Sequence, residues 1–563
     1  MDSSTASAVV TRVLRSVSFF TRSKPQTPPN LFRSPLAKNP GTSDAIGNGN
    51  KLSSSKDEEK KEVVDDIAVT LPNAEKAPTT VAVLASDAEP HPSYFGYLAG
   101  VFSSVLPSAP ATAPAPSKPI EFEGKVKVFA KQVSRIDVTV RTHALVRKLN
   151  LAESTSSRLL RTEEMCRHLL EYPASRGIIA ENRTLMHKLK RQMRVSNDPA
   201  LRAESRQCLN LCGQTDGLQG RGIRILTIDG GGTRGMMGLE VLGAIEKASG
   251  GKKIAELFDH IVGVSTGAII AVLLADKQLT VKECTAIYMD ISQKLFNQGR
   301  LSGVSGLLRN HSYYNTGMWV DILKQVVGPN VRVLDSARRE GAPKLSIISC
   351  IVNAPQLQPY VFRNYEHAPG YDSHYRGGCQ HFLWQAIQAS AAAPGYFEEV
   401  TLGSVLHQDG GVLANNPAAV GVHETKLIWP DEPLQCLVSV GNGRSVTELE
   451  LTSTRKSTRL QDKISKIVDS ATDTELVNIS MSDLIPPGSY YRLNPYMSFP
   501  YTLDEINPEK LAQMRHDAKL YVRRNRRKIE AATAQLMKTP SLLQTIQRKS
   551  AELRKEYLPW QRI

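Results

Sequence analysis

The sequence predicts an α/β domain with a mainly parallel central sheet, preceded by a basic helical module and followed by a helical C-terminal tail. Across residues 222–440, short runs of β-forming residues end in Gly or Asp and lead into helical segments. This alternation of strands and helices is typical of parallel-sheet domains. Residues 120–215 instead carry leucines at three- and four-residue spacings, and residues 503–557 have the pattern of polar helices. The α/β region therefore lies between two helical regions.

The composition indicates a globular protein with an anionic partner. The chain has 563 residues, of which 41% are hydrophobic and 22% charged, and its formal net charge is +15. An excess of Lys and Arg favours either nucleic acid or an anionic membrane surface. The basic tail at residues 503–557 has almost no interleaved aromatic residues, which a nucleic-acid stacking surface would need. We therefore predict peripheral association with an anionic membrane and no nucleic-acid binding.

The N-terminal residues predict targeting rather than a folded domain. Residues 1–50 hold two acidic residues against six Lys and Arg, amid many Ser and Thr. This composition is typical of a mitochondrial transit peptide, the alternative being a disordered basic tail. Residues 51–119 carry a charge run and a Pro/Ala stretch, as disordered linkers do. We expect a membrane-associated intracellular protein, with the mitochondrion favoured and the endoplasmic reticulum as the alternative.

Neither a metal nor a cofactor is predicted. The seven cysteines are scattered and none has C-x-x-C spacing, which argues against structural zinc and favours reduced, mostly buried thiols. No Asp- and Asn-rich loop has the EF-hand spacing for calcium. The apolar run at residues 261–275 is too short to span a bilayer, which predicts a soluble or peripheral protein.

A glycine-rich turn follows the first predicted strand. The run Ile223–Ile228 leads into Asp229-Gly230-Gly231-Gly232-Thr233-Arg234-Gly235, and a helix is expected at about 236–247. Backbone N–H groups converge at such a turn and bind an anion or an oxyanion. The pattern also matches the dinucleotide fingerprint, which requires an acid at the C-terminal end of the next strand. Asp259 precedes the apolar end of that strand, which weakens the nucleotide-binding interpretation.

The second motif predicts a nucleophile. A plausible strand at 257–262 leads into Gly263-Val264-Ser265-Thr266-Gly267, with a helix at 268–275. The pattern G-x-S-x-G between a strand and a helix is a nucleophile elbow, whose tight turn requires glycine and exposes the serine hydroxyl. The dipole of the following helix favours developing negative charge. We therefore predict Ser265 as the nucleophile.

The third motif supplies the candidate base. A strand at 405–409 ends in Asp409, followed by Gly410 and Gly411. A carboxylate buried beside the elbow accepts the serine proton if desolvation raises its pKa toward neutrality. The chain has twelve histidines, so their number leaves a Ser–His–Asp triad open. We expect His407, on the same side of the strand, to pack or hydrogen-bond beside Asp409.

These three motifs, in this order within about two hundred residues, resemble the patatin-like phospholipase family. The segments at 313–316 and 389–397 also look like core segments of that family. The resemblance implies a three-layer α/β/α domain at 222–425, followed by a largely helical, basic extension at 426–563. It further implies calcium-independent hydrolysis of acyl esters of membrane glycerophospholipids by a Ser265–Asp409 dyad that uses no histidine.

The resemblance also assigns roles to the remaining motif residues. An oxyanion hole is implied at Gly230, Gly231, Gly232 and Thr266, and support of the motifs at Asp229, Arg234, Gly235, Gly263, Gly267, Gly410 and Gly411. Two alternatives stay open, namely a nucleotide-binding regulator that uses the glycine-rich loop and a catalytically silent lipid-binding scaffold. The chain ends Gln561-Arg562-Ile563 instead of a Ser-Lys-Leu type tripeptide, so peroxisomal targeting is not expected.

Overall fold

The computed structural model describes residues 133–297, 314–445 and 474–557. The predicted transit peptide at 1–50, the predicted linker at 51–119 and the C-terminal tripeptide lie outside the described residues. Within those ranges, no helix has both the length and the apolar character that crossing a membrane requires.

The helices of the N-terminal module pack around a core of their own. Buried side chains lie four positions apart within a helix, as do Leu145 and Leu149, Met165 and Leu169, and Leu185 and Leu189, and Leu334 of the α/β domain joins the same cluster. The described part of the module consists of α1 (Arg135–Leu151), α2 (Thr155–Glu171), α3 (Ser175–Glu181), α4 (Arg183–Val195) and α5 (Pro199–Leu211).

A mainly parallel sheet forms the centre of the α/β domain. In the described ranges its nine strands are β1 (Ile223–Ile228), β2 (His260–Val264), β3 (Lys344–Ile351), β4 (Gln358–Arg363), β5 (Arg376–Gly378), β6 (Val400–Leu402), β7 (Val405–Asp409), β8 (Leu434–Val440) and β10 (Tyr490–Leu493). Seven of them follow the order β10-β8-β1-β2-β3-β4-β5 across the sheet, and in addition β7 pairs with β3 and β6 pairs with β7. A two-stranded ribbon pairs β9 (Arg444–Ser445) with β11 (Tyr496–Met497).

Helices cover both faces of the sheet. Leu226 and Ile228 face one layer, while Ile223 and Ile225 face the other, as the two-residue period of a strand requires. The larger layer comprises α6 (Gly235–Ala248), α8 (Thr266–Ala275), α9 (Val281–Phe296), α10 (Thr316–Val327), α15 (Pro508–Arg524) and α16 (Arg526–Leu536). The other layer includes α13 (Ala418–Ile428) and α14 (Glu475–Leu484). The predicted three-layer α/β/α fold is confirmed.

The described part of the domain also contains shorter helices. They are α7 (Ile254–Leu257), α11 (Leu383–Ser390) and α12 (Gly411–Ala414). The last described helix, α17 (Leu542–Tyr557), follows α16. The second strand was expected at 257–262, but Leu257 ends α7 and the strand begins at His260. The side chain of Asp259 accepts hydrogen bonds from Arg224, so this residue closes the turn before the strand.

The sheet extends past the predicted boundary at residue 425. β8 pairs with β1 in parallel, and β10 pairs with β8, so the sheet includes two strands of the predicted extension at 426–563. Strands on both sides of residue 425 thus belong to one sheet, and residues 426–563 contribute strands to it as well as the helices expected there. The physical reason is that β1 would otherwise present an unpaired edge, whose N–H and C=O groups β8 satisfies.

The register on β3 decides which chain segments meet. On one side of β3, residues 344–348 pair with β2 and residues 349–351 pair with β7, which runs in the opposite direction. Val264, the last residue of β2, lies opposite Ile348, and Asp409, the last residue of β7, lies opposite Ser349. The ends of two strands that are distant in sequence therefore lie side by side on β3.

Candidate active site

Ser265 occupies a strained turn between β2 and α8. Its backbone angles are φ 54° and ψ −123°, a conformation that costs a non-glycine residue about 1–3 kcal/mol. A Cβ on Gly263 would collide with the carbonyl of Gly267, and one on Gly267 with the carbonyl of Ile228. Only glycine therefore fits on either side of this turn, which leaves the half-buried Ser265 hydroxyl at the end of the sheet.

The Ser265 hydroxyl donates a hydrogen bond to Asp409. The distance from Oγ to Oδ2 is 2.6 Å, and the other carboxylate oxygen, Oδ1, accepts the Gly411 N–H at 2.7 Å. Asp409 is buried, and burial raises the pKa of its carboxyl to about 6, although the bonds from Ser265 and Gly411 favour the ionised form. At neutral pH this carboxylate is therefore mostly ionised but basic enough to accept a proton.

Ser390, in the last turn of α11, connects the two halves of this pair. Its hydroxyl accepts the Ser265 N–H at 2.9 Å and donates to the Ile348 carbonyl at 2.6 Å. Its own carbonyl accepts the N–H of Gly410 at 3.2 Å. Ser390 belongs to none of the three motifs, although it lies in the segment 389–397, which looks like a core segment of the family.

Side chains hold the carbonyl groups of the glycine-rich loop from outside. Asn442 Nδ2 donates a hydrogen bond to the Gly230 carbonyl at 3.4 Å, and Arg234 Nε donates to the Gly231 carbonyl at 3.1 Å. The Tyr288 hydroxyl donates to the Gly232 carbonyl at 2.5 Å. In a trans peptide the N–H points away from the carbonyl of the preceding residue. The N–H groups of Gly231 and Gly232 are therefore turned away from Asn442 and Arg234, respectively.

The predicted oxyanion donors differ in their availability. The amide of Gly230 donates to the carbonyl of Asn415 at 3.3 Å, so it is engaged within the protein. Among the described residues, no hydrogen-bond acceptor is found for the amides of Gly231, Gly232 or Thr266. Three of the four predicted amides are thus not engaged by another described residue, and two of them, those of Gly232 and Thr266, belong to residues that line the same cavity as Ser265.

The C-terminal part of the chain also packs against this loop. Asp229 forms a bidentate ion pair with Arg492 on β10, at 2.9 and 2.5 Å, and both side chains are buried. Burial raises the pKa of Asp229 to about 6, while the charge and hydrogen bonds of Arg492 lower it. Gly232 has φ +56°, and a Cβ there would collide with the carbonyl of Leu503. No sequence motif indicated Arg492 or Leu503.

An apolar cavity opens beside Ser265. It is lined mainly by aliphatic and aromatic side chains of α8, α9 and α10, which include Ile269, Ile291, Leu295, Phe296 and Trp319, and by Phe397 of the loop after α11. A larger cavity of about 370 Å³ lies between the helical module and the loop at 366–377 and is lined mostly by polar and charged side chains. We assign the site to the smaller cavity because the candidate nucleophile lies in its wall.

The remaining predicted residues support the backbone around the site. Gly235 begins α6, where a Cβ would press on the Tyr288 hydroxyl, and a Cβ on Gly410 would collide with the Ile348 carbonyl. His407 is hydrogen-bonded to Ser349 through Nδ1 at 2.9 Å, and burial lowers its pKa to about 4. Across the described ranges, no cluster of three or more His, Cys, Asp or Glu side chains has a geometry that could hold a metal.

Known proteins resemble this chain over the same region. The family model of patatin-like phospholipases matches residues 226–422. Calcium-independent phospholipase A2-gamma of Mus musculus is 42% identical over 439 residues, which are 77% of this chain and 56% of the relative. The Homo sapiens protein of the same name is 41% identical over 417 residues, 74% of this chain and 53% of the relative. The chain thus spans about half the length of these curated relatives.

More distant relatives match a smaller part of the chain. Phospholipase A I of Arabidopsis thaliana is 29% identical over 382 residues, 57% of this chain and 29% of the relative. The crystal structure of VipD from Legionella pneumophila covers 54% of this chain and 68% of that chain, with 12% identity and a TM-score of 0.28, too low to support an assignment. Residues 226–422 therefore form a domain of the patatin-like phospholipase family.

Proposed function

We propose that this protein is a calcium-independent phospholipase of the A2/A1 type, which hydrolyses an acyl ester of membrane glycerophospholipids to lysophospholipid and free fatty acid. The observation that carries the proposal is the 2.6 Å hydrogen bond from the Ser265 hydroxyl to the buried Asp409 carboxylate. The names and identities of the relatives from Mus musculus and Homo sapiens support the same activity.

In the first half-reaction, Asp409 accepts the Ser265 proton while the serine oxygen attacks the acyl carbonyl carbon. Negative charge develops on the carbonyl oxygen, where the amides of Gly231, Gly232 and Thr266 donate hydrogen bonds to it. The ester C–O bond then breaks, and the leaving lysophospholipid oxygen takes the proton from Asp409. An acyl ester on Ser265 remains.

In the second half-reaction, a water molecule gives a proton to Asp409 and attacks the acyl carbonyl. The same amides stabilise the second oxyanion, and the bond from the acyl carbon to Ser265 Oγ breaks. The proton returns from Asp409 to Ser265, and the fatty acid leaves. The aliphatic and aromatic lining of the cavity beside Ser265 suits the hydrocarbon part of the acyl chain.

The position of Asp259 argues against the nucleotide-binding alternative. A dinucleotide site needs an acid at the C-terminal end of the strand after the glycine-rich loop. Asp259 precedes β2 and pairs with Arg224 at 2.7 Å, near the start of β1. Its carboxylate therefore lies at the opposite edge of the sheet from the loop and cannot reach a ribose bound there.

Substitution of either dyad residue tests the reaction. We expect Ser265→Ala and Asp409→Asn each to lower kcat on phospholipid vesicles by about 10⁴-fold or more, because both residues act in one proton transfer. Fatty-acid release is measured with the full chain in excess calcium chelator, which should leave the wild-type rate unchanged. His407→Gln is the matched control, since it changes a buried residue of the same strand. An active Asp409→Asn together with an inactive His407→Gln would contradict the dyad.

The pH dependence follows from the raised pKa of Asp409. The reaction requires the ionised carboxylate, so kcat/KM should fall as pH decreases through about 6, by about tenfold for each further pH unit. The profile is measured from pH 4.5 to 8, with circular dichroism to show that the protein stays folded. A rate that is constant down to pH 4.5 would exclude a base with this pKa.

Exposed apolar side chains near the cavity support the proposed membrane association. Phe499, Leu413 and Met318 are exposed, and each lies within four positions of Leu503, Asp409 or Trp319, respectively. Together with the formal charge of +15, they provide apolar and electrostatic contributions to binding at an anionic lipid surface.

Vesicle flotation tests this membrane association. We expect the protein to float with vesicles that contain anionic lipid at low salt and to dissociate as salt rises, because screening weakens the attraction between surface charges. Phe499→Ser should weaken flotation at both salt concentrations by removing an apolar contact. Binding to anionic vesicles that equals binding to zwitterionic vesicles and does not change with salt would show that charge plays no part.

We further propose that the protein is located in mitochondria, because residues 1–50 have the composition of a transit peptide. A fluorescent protein fused after residue 50 should overlap with a mitochondrial marker in cells. The same fusion without residues 1–50 is the control and should lose this overlap. Diffuse fluorescence from both fusions would contradict a transit peptide.

A further inference from the structure

We propose that Arg492 is a positioning residue, which holds the glycine-rich loop so that the Gly231 and Gly232 amides face the oxyanion. The inference rests on the proposed function and extends it, since Arg492 lies outside residues 226–422, which match the family. The catalytic unit would then include the last strand of the sheet, β10.

The contact between Arg492 and the loop is strong and specific. Its guanidinium makes two parallel hydrogen bonds to Asp229, which directly precedes the glycines, and Nη1 also donates to the Ser439 hydroxyl at 2.9 Å. Arg492 and Asp229 are 7% and 1% exposed, so water screens the pair very little. Bidentate, charge-assisted bonds of this kind constrain orientation as well as distance.

Other charges around the pair reinforce its orientation. Glu475, at the start of α14, lies 3.8 Å from the Arg492 guanidinium and also contacts Arg444 at 3.3 Å. The carboxylate of Asp229 faces Arg492 on one side of the loop. The Thr233 amide, on the other side of the three glycines, donates to the Leu503 carbonyl at 2.7 Å. The loop is therefore held at both ends by residues 490–504.

These two attachments determine the direction of the amides. The three glycines have little intrinsic conformational preference, so the loop takes its shape from what surrounds it. Because Arg492 fixes the residue before Gly230, its loss would let the first peptides of the loop rotate. An error of about 1 Å in such a site costs on the order of 10² in rate.

The experiment compares full-length Arg492→Met with the wild type on phospholipid vesicles. We expect kcat to fall by about 10²-fold with little change in KM, because oxyanion bonds form only in the transition state. A lipid trifluoromethyl ketone, which forms an oxyanion on Ser265, should bind more weakly by a similar factor. An uncharged ether analogue of the substrate should bind as it does to the wild type.

Arg224→Met is the matched control. Arg224 and Asp259 also form a buried bidentate pair, but at the opposite end of β1 from the loop. We expect both Arg224→Met and Arg492→Met to lower the free energy of unfolding. Only Arg224→Met should keep the wild-type kcat in its folded fraction. Urea unfolding measures the stability of both variants, and rates are compared per folded molecule.

A double variant covers the case in which Arg492→Met does not fold. Asp229→Asn with Arg492→Met leaves neither charge unpaired, so folding should recover because removing both partners is far less harmful than removing one. We expect kcat to stay low, since the tether is still absent. A wild-type kcat in either variant would overturn the positioning role while Ser265-dependent turnover by the wild type stands. Absence of any wild-type turnover would overturn the proposed function and, with it, this inference.

Discussion

The register of three strands on β3 is the constraint on which the rest of the site depends. β2 arrives parallel to β3 and ends opposite Ile348, whereas β7 arrives antiparallel and ends opposite Ser349. Ser265 and Asp409 come next to each other at this meeting point, with 2.6 Å between hydroxyl and carboxylate. A shift of one residue would turn each side chain to the other face of the sheet. The backbone ladder thus sets a distance between hydroxyl and carboxylate that two side chains alone could not maintain.

The site combines two costly features with bonds that compensate for them. Ser265 has a positive φ, and Asp409 carries a carboxylate in a buried position that raises its pKa to about 6. Ser390 fixes the backbone amide of the serine, and the Gly411 amide stabilises the carboxylate. Strain and desolvation are therefore retained where the proposed chemistry needs an accessible nucleophile and a base of intermediate strength.

The motifs indicated which segments lie at the candidate site, but they did not indicate what surrounds those segments. The fold class followed from the alternation of strands and helices, because that pattern reflects burial within each element. The continuation of the sheet past residue 425 could not be predicted, because pairing of β8 and β10 with the sheet depends on edges formed by distant strands. Arg492 has no local signature, since a single arginine in a short strand predicts nothing about its partner. The engagement of the Gly230 amide by Asn415 was equally invisible in the sequence.

The sequence by itself determined the features that one short segment can encode. These are the glycines on either side of Ser265, the glycine-rich turn after β1 and the aspartate that ends β7, each required by close backbone approach or by chemistry. The tertiary structure alone decided which of these segments meet, because Ser265 and Asp409 are 144 positions apart and Asp229 and Arg492 are 263 apart. Contacts over such separations arise from strand register and packing of the whole domain, which no local pattern specifies.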